Sequence, residues 1–459
     1  MQQKTFLKSV STANWIIYSL FLLCYIYFCY LIIFTTKNEG LWNFFPDSND
    51  YITQSKSSLL SLDFYSPKPA QWFSPRPFTI PLFIKFAGSD PFTMLYLQRC
   101  FYCVCVLVLV LVLSCFITNN FLKIIFQLLM LYFFTMWEIV GWSNNVVSEF
   151  MSTSLMFLWF AIIILYYKKP DILRFIGLII VSILLSFTRD TWPYIILVFA
   201  VLNFIVFKLQ KKHSKLNVVF LAFAISIFLV QNITSNIGER YKLPVFNSIV
   251  GRVAQNDEYL AWFKERGMPI TDSIVKDFRG IDVDSETGRS IIYKKYQDSL
   301  YAKLFEWVKK DGKSYYTKFV VTHPDYFFMM DQTTEQVERI FCTKLNRFGY
   351  YQYPEGFFLY SDGFFPFFNI WICLLLTIGM AIIFKLTRDA IYIFPLLLVI
   401  MFTVNVMLSY NADTLEVNRH LYTTQIIVEF ICFISIPYLI DQFIKRIRNK
   451  KEIAEKESL

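Results

Sequence analysis

Two aspartates three residues apart, Asp47 and Asp50, stand with Tyr51 just beyond the first long apolar run of the chain. A carboxylate held near a membrane surface can act as general base toward a hydroxyl or amine. Arginines recur in comparable settings: Arg76 between Pro75 and Pro77, Arg189 in Thr188-Arg189-Asp190-Thr191, and Arg419 followed by His420. A guanidinium pairs with phosphate through two parallel hydrogen bonds, so these residues are candidates for holding a phosphate. Between the apolar runs also lie Trp142, Glu149, Asp190, Asp413 and Glu416, which supply aromatic and polar surface for a substrate.

Each cluster alone has a structural explanation. Asp47 or Asp50 could cap a helix starting near Tyr51, and Arg76 or Arg419-His420 could anchor to lipid headgroups. Arg189 and Asp190 could close a tight turn as a local ion pair, and Glu149 could offset a helix dipole. What favours chemistry is the side they share, and that depends on the elements between them.

Hydrophobic residues make up 56% of the 459, aromatics 19% and charged residues only 17%. A soluble domain carries about 25% charge, so much of this apolar surface must face lipid. A bilayer core about 30 Å thick takes about 20 apolar residues per helix. Such runs occur near 14–36, 92–117, 120–140, 147–167, 172–188, 191–207, 216–236, 366–386, 390–409 and 421–441. The expected fold is an all-α polytopic membrane protein of about ten transmembrane helices. The fifth and sixth runs are short and could instead form a re-entrant hairpin. The first, preceded by Lys4 and Lys8, is too long for a signal-peptide core and reads as a retained helix.

With the N-terminus inside, Lys4, Lys8, Lys123, Lys168, Lys169, Arg174, the lysines of 208–215, Lys385, Arg388 and the basic run after Asp441 all become cytoplasmic. The short outer turns keep only Arg189 and Arg419. This asymmetry predicts N-in/C-in and puts the candidate clusters on the extracytoplasmic side. The net charge of +9 thus reflects topology, and nucleic acid is not an expected partner. Of nine cysteines, only Cys342 lies in a long polar segment; neither a disulfide framework nor a zinc site is indicated.

The expected organisation is an N-terminal transmembrane module, 1–236, with an outer loop at 37–91; a mostly helical extracytoplasmic cap, 237–365; a three-helix module, 366–441; and a basic cytoplasmic tail, 442–459. Ile292, Tyr296, Leu300, Leu304 and Val308, at four-residue spacing, predict a helix in the cap. A base, a cationic phosphate clamp and aromatic surfaces are what sugar transfer from a polyprenyl phosphate requires.

The order of these marks resembles the GT-C superfamily of polyprenyl-phosphate-sugar-dependent membrane glycosyltransferases. The similar features are an acidic residue after the first helix with tyrosine four residues on (Asp47, Tyr51), a helix opening at Ser148-Glu149, Arg189 before an apolar helix, and Asp413, Glu416, Arg419 and His420 at a late helix. The resemblance implies an inverting transfer, either metal-independent or assisted by a divalent metal (Mg or Mn). It casts Asp47, with Asp50 second, as base, and Arg189, Arg419, His420 and Arg76 near the donor phosphate. Tyr51, Glu149, Asp190, Asp413, Glu416 and Trp142 would contact substrate. The partners would be a polyprenyl-phosphate-linked sugar, a glycan, lipid or protein acceptor, and the bilayer, in a bacterial inner (plasma) membrane with the site facing the periplasm or exterior. The chain departs from the protein O-mannosyltransferase branch in reading Asp47-Ser48 where that branch has Asp-Glu, and it lacks the Trp-Trp-Asp of oligosaccharyltransferases. An O-antigen polymerase or ligase, and a transporter or flippase, are the competing expectations. Few glycines and no paired halves count against transport.

Overall fold

Long runs of Leu, Ile, Val and Phe satisfy their backbone internally as helices, the economical solution in lipid. The computed structural model describes residues 12–35, 46–67, 75–209, 215–281, 286–295, 298–330, 370–412 and 417–457, and these contain helices and no strand. The apolar bundle comprises α1 (Thr12–Tyr30, continued by a wider turn over Leu31–Thr35), with α2 (Pro46–Ser55) and α3 (Thr79–Phe86) in the following loop. It continues through α4 (Pro91–Ser114), α5 (Asn120–Phe134), α6 (Ser148–Lys168), α7 (Ile172–Ser186), α8 (Trp192–Leu209) and α9 (Lys215–Ile237). Beyond the segment built from α10 (Lys242–Gly251) to α11 (Lys313–Thr322), it closes with α12 (Ile370–Thr387), α13 (Phe394–Ala412) and α14 (Val417–Glu457).

The fold is that of an all-α membrane protein, and among the described residues six helices are long and apolar enough to cross a bilayer: Pro91–Ser114, Ser148–Lys168, Lys215–Ile237, Ile370–Thr387, Phe394–Asn411 and Thr423–Glu455. The other four expected spans correspond to the shorter apolar helices Ser19–Phe34, Asn120–Phe134, Ile172–Ser186 and Trp192–Lys208. The 15 residues of α5 cover only about 22 Å at the helical rise, less than the hydrocarbon core. α6 is the central helix, with 83% of its apolar window buried, whereas α9 and α12 are peripheral at 28% and 22%.

Polar side chains bind this bundle where lipid offers no competing partner. Trp159 Nε1 donates to Ser182 Oγ (2.9 Å), Trp192 Nε1 to Ser152 Oγ (2.6 Å) and Tyr166 to Asn217 Oδ1 (2.8 Å). At the bundle end where α4 turns into α5, buried Asp441 accepts from the backbone N–H groups of Thr118 (3.1 Å) and Asn119 (3.0 Å) and from the Thr118 hydroxyl. It thereby ties α14 to the start of α5. Asp441→Ala strands those donors, and we expect it to cost about 2 kcal/mol. A lowered Tm of the detergent-purified protein is the check, with an unchanged Tm arguing that water takes over the bonds.

The described residues between 241 and 326 form a second hydrophobic core, separate from that of the bundle, around Phe246, Tyr259, Phe263, Phe278, Trp307 and Phe319. The expected cap, 237–365, is described only to Met330; residues 331–369 lie outside the described residues. The single helix expected from Ile292 to Val308 is instead interrupted. One helix ends at Lys295, Asp298 accepts from Leu300 N (2.9 Å) to start a tight turn at Ser299–Tyr301, and Ala302–Trp307 resumes. A new cap within the ladder breaks the register, so Leu304 and Val308 are buried while Leu300 is half-exposed. α14 runs from Val417 to Glu457, through the start of the tail expected after Asp441.

This second core docks on the end of α13 through Arg252. Its guanidinium donates to Asn411 Oδ1 (3.1 Å) and Tyr326 O (2.9 Å), 3.5 Å from the Tyr326 ring centroid and 4.6 Å from that of Tyr410. Tyr316 donates to Asn411 O (2.6 Å), and Asn411 Nδ2 to Phe327 O (3.0 Å).

Candidate functional site

Pro46, with its φ preset for a first helical position, opens α2, and Asp47 in the first turn suits the positive end of the helix. Residues three and four apart share a helix face, which groups Asp47, Asp50 and Tyr51. Against that face lies Arg76, held by its backbone. Gln54, buried, accepts from Arg76 N (3.0 Å) and donates to Arg76 O (2.9 Å), so one amide clamps both sides of the residue. Lys85 Nζ donates to the carbonyls of Ser55 (3.0 Å) and Ser57 (2.8 Å) and closes the end of α2.

The Arg76 guanidinium donates from Nη2 to Asp47 Oδ1 (2.7 Å) and Asp50 Oδ2 (3.0 Å), and from Nε to Asp50 Oδ2 (3.2 Å). Side-chain exposure is 25% for Arg76, 23% for Asp47 and 12% for Asp50. The cluster is therefore packed but reachable, and Asp47 is the more accessible carboxylate. Burial alone would weaken the hold of Arg76 on its proton, but Asp47, Tyr51 and Asp50 more than compensate and leave it firmly charged. Tyr51 is buried, and its ring centroid is 5.8 Å from that guanidinium. Burial pushes its hydroxyl up to about 12, against the pull of Arg76 and with the help of Asp47 and Glu149. Tyr51 consequently stays neutral and hydrogen-bonded to Ser148.

Ser48 Oγ donates to Val146 O (2.9 Å) and fastens α2 to the turn before α6. Buried Glu149, in the first turn of α6, lies 3.8 Å from Arg189 Nη2 in the α7–α8 turn. Thr79 secures α3 to the end of α7, donating from its N to Phe187 O (3.0 Å) and from its hydroxyl to Leu184 O (2.8 Å). Asp190 belongs to a neighbouring group: Arg240 Nη2 is 3.0 Å from its carboxylate, and Gln231 donates to it. The two groups touch through Pro75 and Gly238, which approach so closely that a Cβ on the glycine would sit 3.1 Å from the proline ring.

No family model matches the chain, and no curated protein matches it.

Of the residues expected to serve a site, Asp47, Asp50, Tyr51, Arg76, Glu149 and Arg189 come together, and Asp190 stands next to them. Trp142 is buried in the turn before α6. Asp413 and Glu416 lie outside the described residues. Arg419 and His420 fall in the first turn of α14, with side chains outside the description. Arg76 and Arg189, expected to hold a phosphate, instead face carboxylates here, which are the anions this chain itself provides. Among the described residues no three His, Cys, Asp or Glu converge as metal ligands. Arg76 occupies the side of Asp47 and Asp50 that a divalent cation would need, so these residues do not fit a resident Mg or Mn.

The structure adds Gln98 and Arg99, which the spacing of apolar runs passed over. Arg99 is fully buried two turns into α4; it donates to Asn144 Oδ1 and to Ile33 O (3.4 Å), and among the described residues it has no carboxylate partner. Gln98 Nε2 donates to Ser143 O (2.8 Å). Gln98 Oε1, Arg99 Nε and Ser143 Oγ are buried without a hydrogen bond among the described residues. An adjacent Gln-Arg pair inside an otherwise apolar run was the available signal, since a charge at membrane depth is costly and marks function.

Proposed function

We propose that the chain is a GT-C-like membrane glycosyltransferase, moving a sugar from a polyprenyl-phosphate donor to an envelope glycan, lipid or protein acceptor. In this reading about ten helices span the membrane N-in/C-in, the shorter ones thinning the bilayer locally, and the 237–365 segment caps the extracytoplasmic face. The α7–α8 pair would span, because its turn reaches the start of α6 at Glu149. The observation that carries the proposal is the reachable Asp47–Arg76–Asp50 cluster close to Glu149 and Arg189, with the cation of Arg99, which has no carboxylate partner among the described residues, packed on the turn that leads into α6.

Asp47 takes the acceptor hydroxyl proton as the acceptor oxygen bonds to the anomeric carbon. The bond from that carbon to the phosphate oxygen breaks, and the electron pair leaves with polyprenyl phosphate. Arg76 pairs with Asp47 at 2.7 Å in the resting site. An arriving phosphate that draws the Arg76 guanidinium away frees Asp47 Oδ1 for the acceptor hydroxyl, so the base is uncovered when the donor is bound. Arg99 is a fixed cation for the same phosphate, and its charge is what makes burial there useful.

The test is transfer from a panel of radiolabelled polyprenyl-phosphate monosaccharides, with purified protein and an envelope acceptor fraction. One donor should be used. Arg99→Gln should raise KM for that donor several-fold, because the buried cation acts on the phosphate through its charge without touching it. Silence with every monophosphate donor, together with activity on a pyrophosphate-linked oligosaccharide, would replace this reading with a polymerase or ligase.

A further inference from the structure

Independently of that reading, a groove of about 640 Å³ lies where α9 ends against the second core. Lys309, Lys310, Lys313 and Lys318 line it, together with the hydroxyls of Ser314 and Thr317. Spacings of three and four residues place these side chains on one face of the helical stretch that ends in α11. The opposite wall is Asn236, in the last turn of α9, which accepts from Lys313 Nζ.

The groove carries more positive charge than its surroundings neutralise. Glu239 sits 3.7 Å from Lys309 and also pairs with Lys242, and Asp190 is taken by Arg240. Among the described residues Lys310, Lys313 and Lys318 have no ion-pair partner. Burial lowers the proton affinity of Lys313 and Arg240 lowers it further, partly offset by Asp190; an added anion would relieve that repulsion.

The level of the groove identifies the anion. Ile233 and Ile237 on α9 are about half exposed, at 57% and 52%, and Val321 on α11 is 78% exposed beside the lysines. α9 is one of the helices suited to crossing the membrane, so its apolar face belongs to hydrocarbon and its last turn to the headgroup layer. We infer that this groove binds the phosphate headgroup of an anionic membrane lipid, with the lysines and the Ser314 and Thr317 hydroxyls on the phosphate and Val321 against the acyl chains. Each lysine near an anionic surface adds to the attraction, and salt screens it.

The experiment is thermal melting of the full-length protein in nonionic detergent with short-chain phosphatidylglycerol, short-chain phosphatidylcholine or inorganic phosphate. Phosphatidylglycerol should raise Tm by several degrees at low salt and less at high salt, while phosphatidylcholine and inorganic phosphate leave it unchanged. The K310Q/K313Q/K318Q variant should lose the shift, and the matching arginine variant should keep it. K318E alone, at an exposed position, should reduce the shift even if the triple variant does not fold. A shift that survives K318E, or that phosphatidylcholine matches, overturns the inference. One reproduced by inorganic phosphate assigns the groove to a soluble anion and overturns the lipid as its ligand. Neither result bears on glycosyl transfer, which the donor panel tests separately.

Discussion

Asp47→Asn should lower the rate of transfer by ~10²–10⁴-fold, the usual contribution of a positioned base, with little change in KM for the donor. The substitution is nearly isosteric, and an amide oxygen can still accept from Arg76 Nη2, now 2.7 Å away, so the fold should persist. What disappears is the acceptor for the hydroxyl proton. Asp50→Asn should behave differently. Asp50 Oδ2 receives both Nε and Nη2 of Arg76 and is the less exposed of the pair, so it orients the guanidinium. Its loss should change KM and the pH profile more than kcat. Initial rates against donor concentration for both variants separate the roles, and full activity of Asp47→Asn in folded protein would remove it as the base.

Arg252→Ala should release the second core from the bundle. The guanidinium is buried between two tyrosine rings and fastened to Asn411 and Tyr326. Two desolvated cation–π contacts and two charged hydrogen bonds together suggest a loss of about 3 kcal/mol. Lysine should not rescue it, because an ammonium cannot stack between rings and bond in two directions at once. Hydrogen exchange in residues 241–330 is the measurement. Faster exchange there with an unchanged bundle identifies the arginine as the fastening, whereas uniform protection would show that the Tyr316 and Asn411 bonds suffice.

The sequence made the apolar helices legible because lipid leaves few alternatives for a backbone rich in Leu, Ile and Phe. The boundaries at Asp90, Asn119 and Asp171 follow the same logic, each side chain accepting from the first turn it precedes. Span length was harder to read. Apolar composition continues past the ends of α5 and α7 into turns that bury Phe187 and Met136 within protein, so hydropathy overstated the helices. In the candidate site, the grouping of Asp47, Asp50 and Tyr51 could be read from helical spacing. Their partner Arg76 lies 26 residues from Asp50, and no periodicity links the two. Glu149 and Arg189 were visible as residue types, but their proximity depends on α7 running back along α6. Arg99 was hidden by its apolar neighbours, although it is the charge that most needs a ligand.

The 41 residues of α14 have a practical consequence for imaging. A helix of that length is about 62 Å along its path at 1.5 Å per residue, roughly twice the hydrocarbon thickness, so an upright helix of this length cannot lie wholly within the hydrocarbon. A small helical protein spliced in register between Lys450 and Glu457 would move rigidly with the bundle, and each residue added at the junction would turn it by about 100°. The particle would thereby gain a second landmark, besides the separate core of residues 241–326, for electron-microscopic alignment.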